Sequence, residues 1–417
     1  MPSDPIIPRF ALAAAEAALA DTPVVAIQGA RQVGKSTLVQ TIANSRNATV
    51  VTLDDPLTRA VALEDPNAVI GLGTGGLLAI DEAQRAPGLI LPLKANVDAN
   101  HQPGRFLLTG SSDLLRLKGV GDSLAGRAET ISLMPFSQGE LTRRETPEDF
   151  VTWLLSDPTH GRLFPALEPE AVVKGGFPPA CARSETRAKK WLREYAIRLA
   201  GHDAAELQER GYPDQLGAML QYLAAAGHAE LVKAHLARHL GVAESTVAIY
   251  WRLLKAMHLV QEYPAWNRAP LRRLAHRPKA CLLDTGLAAA LTGFTSSQAK
   301  TPGGREFYGN LVEQFVALEL TKQSAWSRTP HGVFHYRELD GLEADLFLET
   351  DDGHLIAIEV KATTTPIPKH WKNLIAIKER LPERQVTGVL LHTGSSSARL
   401  HGWLHVLPVT SLWHHDV

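Results

Sequence analysis

The segment from Gly29 to Ser36 constrains the fold more than any other stretch, because it matches the pattern G-x-x-x-x-G-K-[ST] at every fixed position. The apolar run Val24–Ile27 precedes it and predicts a buried strand, and the spacing of Leu38 and Ile42 after it predicts a helix. A glycine-rich turn between a strand and a helix points backbone N–H groups and the positive end of the helix dipole into one cavity. The sequence therefore predicts a phosphate-binding loop. Its residues are Gly29, Ala30, Arg31, Gln32, Val33, Gly34, Lys35, Ser36 and Thr37.

Polar residues of this loop and of a second motif carry a specific chemical expectation. Lys35 can reach the β- and γ-phosphates of a nucleotide, and the hydroxyl of Ser36 can ligate Mg²⁺. The apolar run Gly76–Ile80 then ends in Asp81 and Glu82. We expect Asp81 to hold Mg²⁺ beside Ser36, and Glu82 to act as the general base toward the attacking water.

The next predicted strand, Arg105–Ser112, is apolar and ends in small polar residues. Strand carboxyl ends line the ligand crevice of an open parallel sheet, so Thr109, Ser111 or Ser112 could contact the γ-phosphate or orient water. We favour Ser111 for this role. The alternative is that these residues cap a strand-to-loop junction.

Arg127 precedes a predicted strand at Glu129–Met134. An arginine near a subunit edge can neutralise transition-state charge in its own site or in a neighbouring subunit. The second arrangement would require a homo-oligomer. The alternative for Arg127 is a surface salt bridge.

The segments GARQVGKST, LLAIDEAQR, FLLTGSS and LAGRAE together resemble the AAA-type P-loop ATPases of a prokaryotic family with a C-terminal extension of unknown function. The resemblance covers nearly the whole chain. It implies an α/β fold with an ATPase domain over residues 1–145, a parallel sheet with the phosphate-loop strand in its middle, and ATP and Mg²⁺ as cofactors.

Beyond this domain, residues 146–225 have a mostly helical pattern, interrupted at Gly175–Pro179. Residues 226–300 then predict a helix, a turn at Gly241, a second helix and a hairpin, which is the order of a winged-helix domain. The hairpin is rich in basic residues, which either contact nucleic-acid phosphates or belong to a solvated protein-interaction module. These residues are Arg268, Arg272, Arg273, Arg277 and Lys279.

Residues 301–417 carry acidic residues in a recurrent order: Glu313 on a predicted helix, Asp345 on a strand, and Glu359 and Lys361 on the next strand. Alternation along a strand places Glu359 and Lys361 on one face, and a hairpin brings Asp345 beside them. The pattern D…E-x-K resembles the core of the restriction-endonuclease-like superfamily, which implies a Mg²⁺-dependent nuclease site. The alternative is a cross-strand ion pair in an inactive fold.

Composition narrows the classes of partner. The formal net charge is −1, so any contact with DNA or RNA requires a local basic patch. Two distant cysteines, Cys181 and Cys281, fit a reducing cytoplasm. The sequence contains no run of about 18 apolar residues, so we expect no membrane span. We interpret His414 and His415 as a solvated tail.

Two functions follow from these patterns. The first is an ATPase coupled to nucleic-acid binding or processing by the C-terminal domains. The alternative is a nucleotide-dependent switch of regulatory, defence or toxin–antitoxin type, which binds a protein partner and keeps an inactive nuclease-like fold.

Overall fold

The computed structural model of the chain describes residues 6–73, 75–110, 124–156, 158, 161–203, 213–269, 273 and 276–415. The chain divides into two compact units. The first comprises the residues up to Phe136 together with Leu254–Leu259, and the second comprises Ser137–Leu253 and the residues from Val260 onward. The first boundary thus falls before residue 145, and the three later segments that we predicted as separate domains lie mainly in the second unit.

The described part of the first unit contains one parallel sheet and the helices that flank it in sequence. The helices are α1 (Ala11–Asp21), α2 (Lys35–Arg46), α3 (Pro56–Glu64), α4 (Pro66–Gly71) and α5 (Ile90–Ala99), and the strands are β1 (Val24–Gln28), β2 (Thr49–Thr52), β3 (Leu78–Asp81), β4 (Phe106–Gly110) and β5 (Ala128–Ser132).

The strand order of this sheet is β2-β3-β4-β1-β5. The phosphate-loop strand β1 lies inside the sheet, between β4 and β5, and β4 holds the central position of the five described strands. Every residue of β1 is buried, as its apolar run predicts for a strand with neighbours on both sides. All strands run parallel, so the carboxyl ends of β1, β3 and β4 lie at one edge of the sheet.

The second unit contains helices and two further sheets in its described residues. Its helices are α6 (Gln138–Leu141), α7 (Phe150–Leu155), α8 (Pro169–Lys174), α9 (Pro178–Cys181), α10 (Glu185–Arg198), α11 (Pro213–Ala226), α12 (Lys233–Leu240), α13 (Glu244–Ala256), α14 (Thr285–Thr292), α15 (Arg305–Ser324) and α16 (Lys372–Arg380). Its strands are β6 (Ala229–Glu230), β7 (Val260–Tyr263), β8 (Lys279–Leu282), β9 (His331–Arg337), β10 (Glu343–Thr350), β11 (Leu355–Lys361), β12 (Val386–His392), β13 (Ala398–Leu400) and β14 (Leu404–Pro408).

Strands β6, β8 and β7 form a small antiparallel sheet in that order. Helices α12 and α13 precede its β7–β8 hairpin in sequence, and Gly241, at φ 65°, ends α12 in the left-handed conformation that glycine adopts without strain. The backbone N–H of Trp266, just after β7, donates to the carbonyl of His335 on β9 at 2.7 Å. This bond ties the small sheet to the large one.

The larger sheet has the order β13-β14-β12-β11-β10-β9. Helix α15 packs against β9 and β11. On the sheet, Trp266, Tyr336 and Phe347 form an aromatic cluster, with the Trp266 and Phe347 ring centroids 4.9 Å apart. This packing fixes the β10–β11 pair, on which Asp345, Glu359 and Lys361 lie.

The end of the described chain differs from our expectation. His415 is fully buried, and its ring stacks on Trp153 at 5.2 Å between ring centroids. Its Nε2 accepts a hydrogen bond from the backbone N–H of Asp149 at 3.1 Å. The interpretation of His415 as a solvated tail is therefore wrong, because the imidazole satisfies a buried backbone donor on α7's N-terminal side. Among the described helices, none is both long and apolar enough to cross a bilayer.

Candidate functional site

The phosphate loop has the backbone geometry that its glycines predict. Gly34 lies at φ 101°, a conformation that residues with a Cβ rarely adopt, and forms the N-cap of α2. A Cβ on Gly29 would lie 2.2 Å from the carbonyl oxygen of Leu133. No side chain caps α2, so the N–H groups of its first turn are available to phosphate oxygens.

Lys35 lies inside this loop. Its Nζ donates to the carbonyl oxygens of Gly29 at 2.9 Å and Ala30 at 3.0 Å. Burial lowers the pKa of Lys35 to about 8, against the opposing effect of the nearby Glu82 and Asp81 carboxylates. Phosphate oxygens would favour the charged ammonium group and replace the two carbonyl acceptors.

The structure brings Ser36 and Asp81 into contact, as predicted. Ser36 Oγ donates to Asp81 Oδ2 at 2.9 Å. The hydroxyl of Thr109, at the end of β4, donates to Asp81 Oδ1 and accepts from the backbone N–H of Glu82 at 3.0 Å. One hydroxyl thus holds both acidic positions of the second motif. A carboxylate beside a serine hydroxyl is the donor set that P-loop enzymes present to Mg²⁺, so these residues fit the ion.

Glu82 follows β3 in the left-handed conformation, at φ 57°. Its Oε2 accepts a hydrogen bond from the side-chain amide of Gln84. The turn leaves the carboxylate half-buried at the same sheet edge as the phosphate loop. Glu82 is therefore placed as a candidate general base for water at that edge.

Arg9, which the sequence patterns did not single out, also contacts this site. It lies before α1 and donates from Nη1 to the Val33 carbonyl at 2.7 Å and from Nη2 to the Met134 carbonyl at 2.6 Å. Its guanidinium lies over the Phe136 ring, 4.8 Å from the centroid. Arg9 thus joins the phosphate loop to the segment after β5. An isolated arginine this far upstream of the motif gives no pattern by which sequence could identify it.

The remaining two predicted catalytic residues have different outcomes. Ser111 lies outside the described residues. Within the described part of the site, the hydroxyl of Thr109 contacts Asp81 and the backbone N–H of Glu82. Arg127 lies before β5, and its Nε pairs with Asp98 Oδ1 at 2.5 Å. Because β5 and β1 are parallel, Arg127 is at the amino end of the sheet, with about 13 Å of strand between it and the phosphate loop. The structure therefore does not bring Arg127 to the phosphate loop of its own chain.

A second cluster, in the second unit, unites the four residues of the predicted nuclease-like pattern. Asp345 Oδ2 accepts from the backbone N–H of Val360 at 2.8 Å and lies 4.0 Å from Lys361 Nζ. Lys361 Nζ contacts Glu359 Oε1 at 2.5 Å. Glu313 reaches the group from α15. We call Glu313, Asp345, Glu359 and Lys361 the carboxylate cluster.

Two residues from outside the predicted pattern complete its contacts. Lys279, on β8, donates to Glu313 Oε1 at 2.8 Å and lies 3.9 Å from Asp345 Oδ1. His228 Nδ1 lies 2.8 Å from the same Glu313 oxygen. Burial lowers the pKa of His228, so its neutral ring donates Nδ1–H to the carboxylate.

The acids of this cluster differ in protonation. Burial raises the pKa of Asp345 well above its usual range, and the neighbouring Glu313 and Glu359 carboxylates raise it further. Burial likewise raises the pKa of Glu359. Hydrogen bonds from His228 and the charge of Lys279 outweigh burial at Glu313 and lower its pKa to about 2. In the described part of the chain, no three acidic, histidine or cysteine side chains are arranged to hold a metal ion.

The predicted basic surface of the hairpin is largely used within the protein. Arg273 pairs with Glu349 Oε2 at 2.6 Å, and Lys279 pairs with Glu313. Arg268 donates to the carbonyl of Arg380 but stays exposed. Arg277 is exposed, and Arg272 lies outside the described residues. Carboxylates already neutralise Arg273 and Lys279 within the protein, and a phosphate-contacting role of the hairpin stays a prediction.

Parts of both units match known protein families. Residues 21–142 match the AAA domain family. Residues 167–298 and 308–412 match two domains of unknown function, DUF8612 and DUF4143. The uncharacterized proteins Rv2008c of Mycobacterium tuberculosis and Mb2031c of Mycobacterium bovis are each 31% identical over 365 residues, which is 86% of this chain and 74% of theirs.

The chain belongs to the family of AAA-type P-loop ATPases with C-terminal domains of unknown function. This AAA-type protein is also similar to solved structures. The Walker-type ATPase PABY2304 of Pyrococcus abyssi aligns at 18% identity with a TM-score of 0.45, covering 69% of this chain and 96% of that one. AMPPCP-bound DnaA of Aquifex aeolicus aligns at 14% identity with a TM-score of 0.29, covering 59% and 85%. The first unit of the AAA-type protein is an ATPase-like nucleotide-binding domain, as its phosphate loop predicted.

Proposed function

We propose that the protein hydrolyses ATP in a Mg²⁺-dependent reaction. The observation that carries this proposal is the 2.9 Å contact between Ser36 Oγ and Asp81 Oδ2 beside the phosphate loop. Ser36 and Asp81 would hold Mg²⁺, which would neutralise charge on the β- and γ-phosphates.

The chain's own residues account for the remaining steps. Lys35 and the first-turn N–H groups of α2 bind the phosphates. Glu82 accepts a proton from the water whose oxygen attacks the γ-phosphorus, while the bond from that phosphorus to the ADP oxygen breaks. Thr109 positions Asp81 and Glu82 through its two hydrogen bonds. Ser111 stays a predicted γ-phosphate contact.

Arg127 can act only from outside its own site in this arrangement. We keep the proposal that it serves the site of a neighbouring subunit, in a homo-oligomer. Its Nε pairs with Asp98 at 2.5 Å, and the guanidinium has further N–H donors with which it would contact the neighbouring phosphate.

We propose further that α11, β6, α12, α13, β7 and β8 form a winged helix. The support is the element order together with the antiparallel sheet order β6-β8-β7, in which β7 and β8 flank the candidate wing. The free cysteines Cys181 and Cys281 support a cytoplasmic location.

Two functions of the second unit can be separated by experiment. The internal ion pairs of Arg273 and Lys279 favour the nucleotide-dependent switch that binds a protein partner, because they withdraw two cations from the basic surface. The exposed Arg268 and Arg277 support nucleic-acid binding or processing.

ATP hydrolysis by the wild type, Lys35→Ala and Glu82→Gln tests the proposal, with and without duplex and single-stranded DNA. Glu64→Gln is the matched control, since Glu64 is an exposed acid at the end of α3. We expect Lys35→Ala to lose nucleotide binding. Glu82→Gln should bind ATP but hydrolyse it about 10²–10⁴-fold more slowly, and Glu64→Gln should match the wild type.

The assays with DNA distinguish nucleic-acid coupling from the protein-partner switch. A rate that DNA leaves unchanged supports the protein-partner switch, whereas a DNA-stimulated rate that Lys35→Ala and Glu82→Gln abolish supports nucleic-acid coupling. Normal hydrolysis by Glu82→Gln would refute its assignment as the general base.

A further inference from the structure

Lys279 holds an unusual place in the carboxylate cluster. It comes from β8 in the small sheet, whereas the acids come from α15, β10 and β11. Its Nζ lies between two of them, 2.8 Å from Glu313 Oε1 and 3.9 Å from Asp345 Oδ1. We infer that the Lys279 ammonium group is the resident cation of this cluster and keeps divalent metal ions out of it.

The oxygen atoms of the cluster do not fit a divalent ion while Lys279 is present. Glu313 Oε1 already accepts from His228 and Lys279, and Asp345 Oδ2 accepts from the Val360 N–H. Glu359 Oε1 contacts Lys361, while Glu359 Oε2 is buried without a hydrogen-bond partner. Three of the six carboxyl oxygens thus already contact N–H donors of the protein, which compete with the near-octahedral oxygen shell that Mg²⁺ requires.

Formal charge leads to the same conclusion. With Asp345 protonated, as its raised pKa favours, Glu313 and Glu359 balance Lys279 and Lys361, and even with all three acids ionised a divalent ion would leave an excess of positive charge. With Lys279 replaced by a neutral residue, three carboxyl groups face one ammonium group, and a divalent ion completes the balance. A buried cluster tolerates little uncompensated charge, so the Lys279 ammonium group disfavours a metal ion beside it.

Because Lys279 lies on a different sheet from Asp345 and Glu359, metal binding to the cluster would require a change of conformation. The cluster can exchange its ammonium group for a metal ion only when the Lys279 side chain leaves Glu313 and Asp345. The exclusion does not depend on ATP hydrolysis, so it stands or falls separately from the proposed function.

Mn²⁺ binding to the nucleotide-free protein, counted by electron paramagnetic resonance of the free ion, tests the inference. The variants are Lys279→Met, Asp345→Asn and the double variant, with Lys233→Met as the control for an exposed lysine on α12. We expect Lys279→Met to bind one more Mn²⁺ per chain than the wild type and Lys233→Met. The additional ion should be lost in the double variant.

Two results would overturn the inference. One is a wild-type Mn²⁺ site that Asp345→Asn removes, because the cluster would then accept metal with Lys279 in place. The other is a Lys279→Met variant with native tryptophan fluorescence that gains no ion. The comparison of the wild type with Asp345→Asn does not involve Lys279→Met, so it can overturn the inference even when that variant fails to fold.

Discussion

At the scale of single residues, Lys35 links nucleotide binding to pH. Its side chain is 5% exposed, and burial lowers its pKa to about 8. Phosphate oxygens around Nζ would favour the protonated form and raise that pKa. Above pH 8, therefore, the nucleotide must draw a proton onto Lys35 as it binds.

Calorimetric titration of nucleotide in buffers of different ionisation enthalpy measures this proton. We expect uptake of a proton at pH 8.5 and close to none at pH 7, where Lys35 is already charged. Lys35→Arg should bind without the additional uptake, since arginine stays protonated. Equal proton counts at both pH values would contradict the assignment.

Residue types at strand ends made the nucleotide site largely predictable. Ser36 and Asp81 are 45 positions apart in sequence. Ser36 follows the end of β1 and Asp81 ends β3, and a parallel sheet brings these two strand ends to one edge. The sequence pattern favours Ser111, whereas the hydroxyl that contacts Asp81 and Glu82 in the described residues belongs to Thr109. The exact residue at which a strand ends is harder to predict than the strand itself. Arg9 belongs to no motif, so only the folded chain reveals its contact with Val33.

Long-range contacts explain why Arg273 and Lys279 lie in ion pairs within the protein. Basic residues on a hairpin predict a solvated surface, but Lys279 turns onto Glu313, 34 positions away. His228 joins the same carboxylate from 85 positions away. Neither pairing follows from local pattern, because each depends on how the small sheet meets α15.

At the scale of elements, the turn at Gly175–Pro179 is organised by one buried acid. Asp284 caps α14 by accepting from the Leu287 N–H at 2.8 Å, and it accepts from the Gly176 N–H at 2.7 Å. A Cβ on Gly175, at φ 68°, would lie 2.3 Å from Asp284 Oδ1. The glycine-rich turn therefore closes around the N-terminus of α14.

Asp284→Ala should destabilise the second unit by about 2–4 kcal/mol, because it leaves buried N–H groups of two segments without acceptors. All eight tryptophans lie in the second unit, so tryptophan fluorescence in urea follows its unfolding. Asp214→Ala, at an exposed position in the first turn of α11, is the control and should shift the midpoint much less. Equal shifts for the two variants would exclude this role for Asp284.

At the scale of the whole molecule, a buried acid should make stability depend on pH. Glu148 is fully buried, and burial raises its pKa to about 8, with further increases from the Glu319 and Glu140 carboxylates. The folded chain thus holds a proton that the unfolded chain releases near pH 4.5. The free energy of unfolding should therefore fall as pH rises from about 4.5 to about 8, by up to about 1.4 kcal/mol per pH unit.

Glu148→Gln removes this ionisation and should flatten the profile. The measurement is the urea midpoint of tryptophan fluorescence at pH 5.5 and pH 8 for the wild type, Glu148→Gln and the exposed control Glu145→Gln. We expect the wild type and Glu145→Gln to lose stability alike between the two pH values. A wild-type slope that persists in Glu148→Gln would assign the dependence to other groups.

The contact between Asp149 and His415 can form only late in the synthesis of the chain. The two residues are 266 positions apart. A ribosome that adds about 5–20 residues per second needs about 13–53 seconds to make the intervening chain. Throughout that interval α7 has emerged without the imidazole that accepts from its N-terminal flank and stacks on Trp153. Asp149 and Trp153 of the nascent second unit must therefore wait for His415 before this contact can form, whereas all described strands of the phosphate-loop sheet have been made once Ser132 is added.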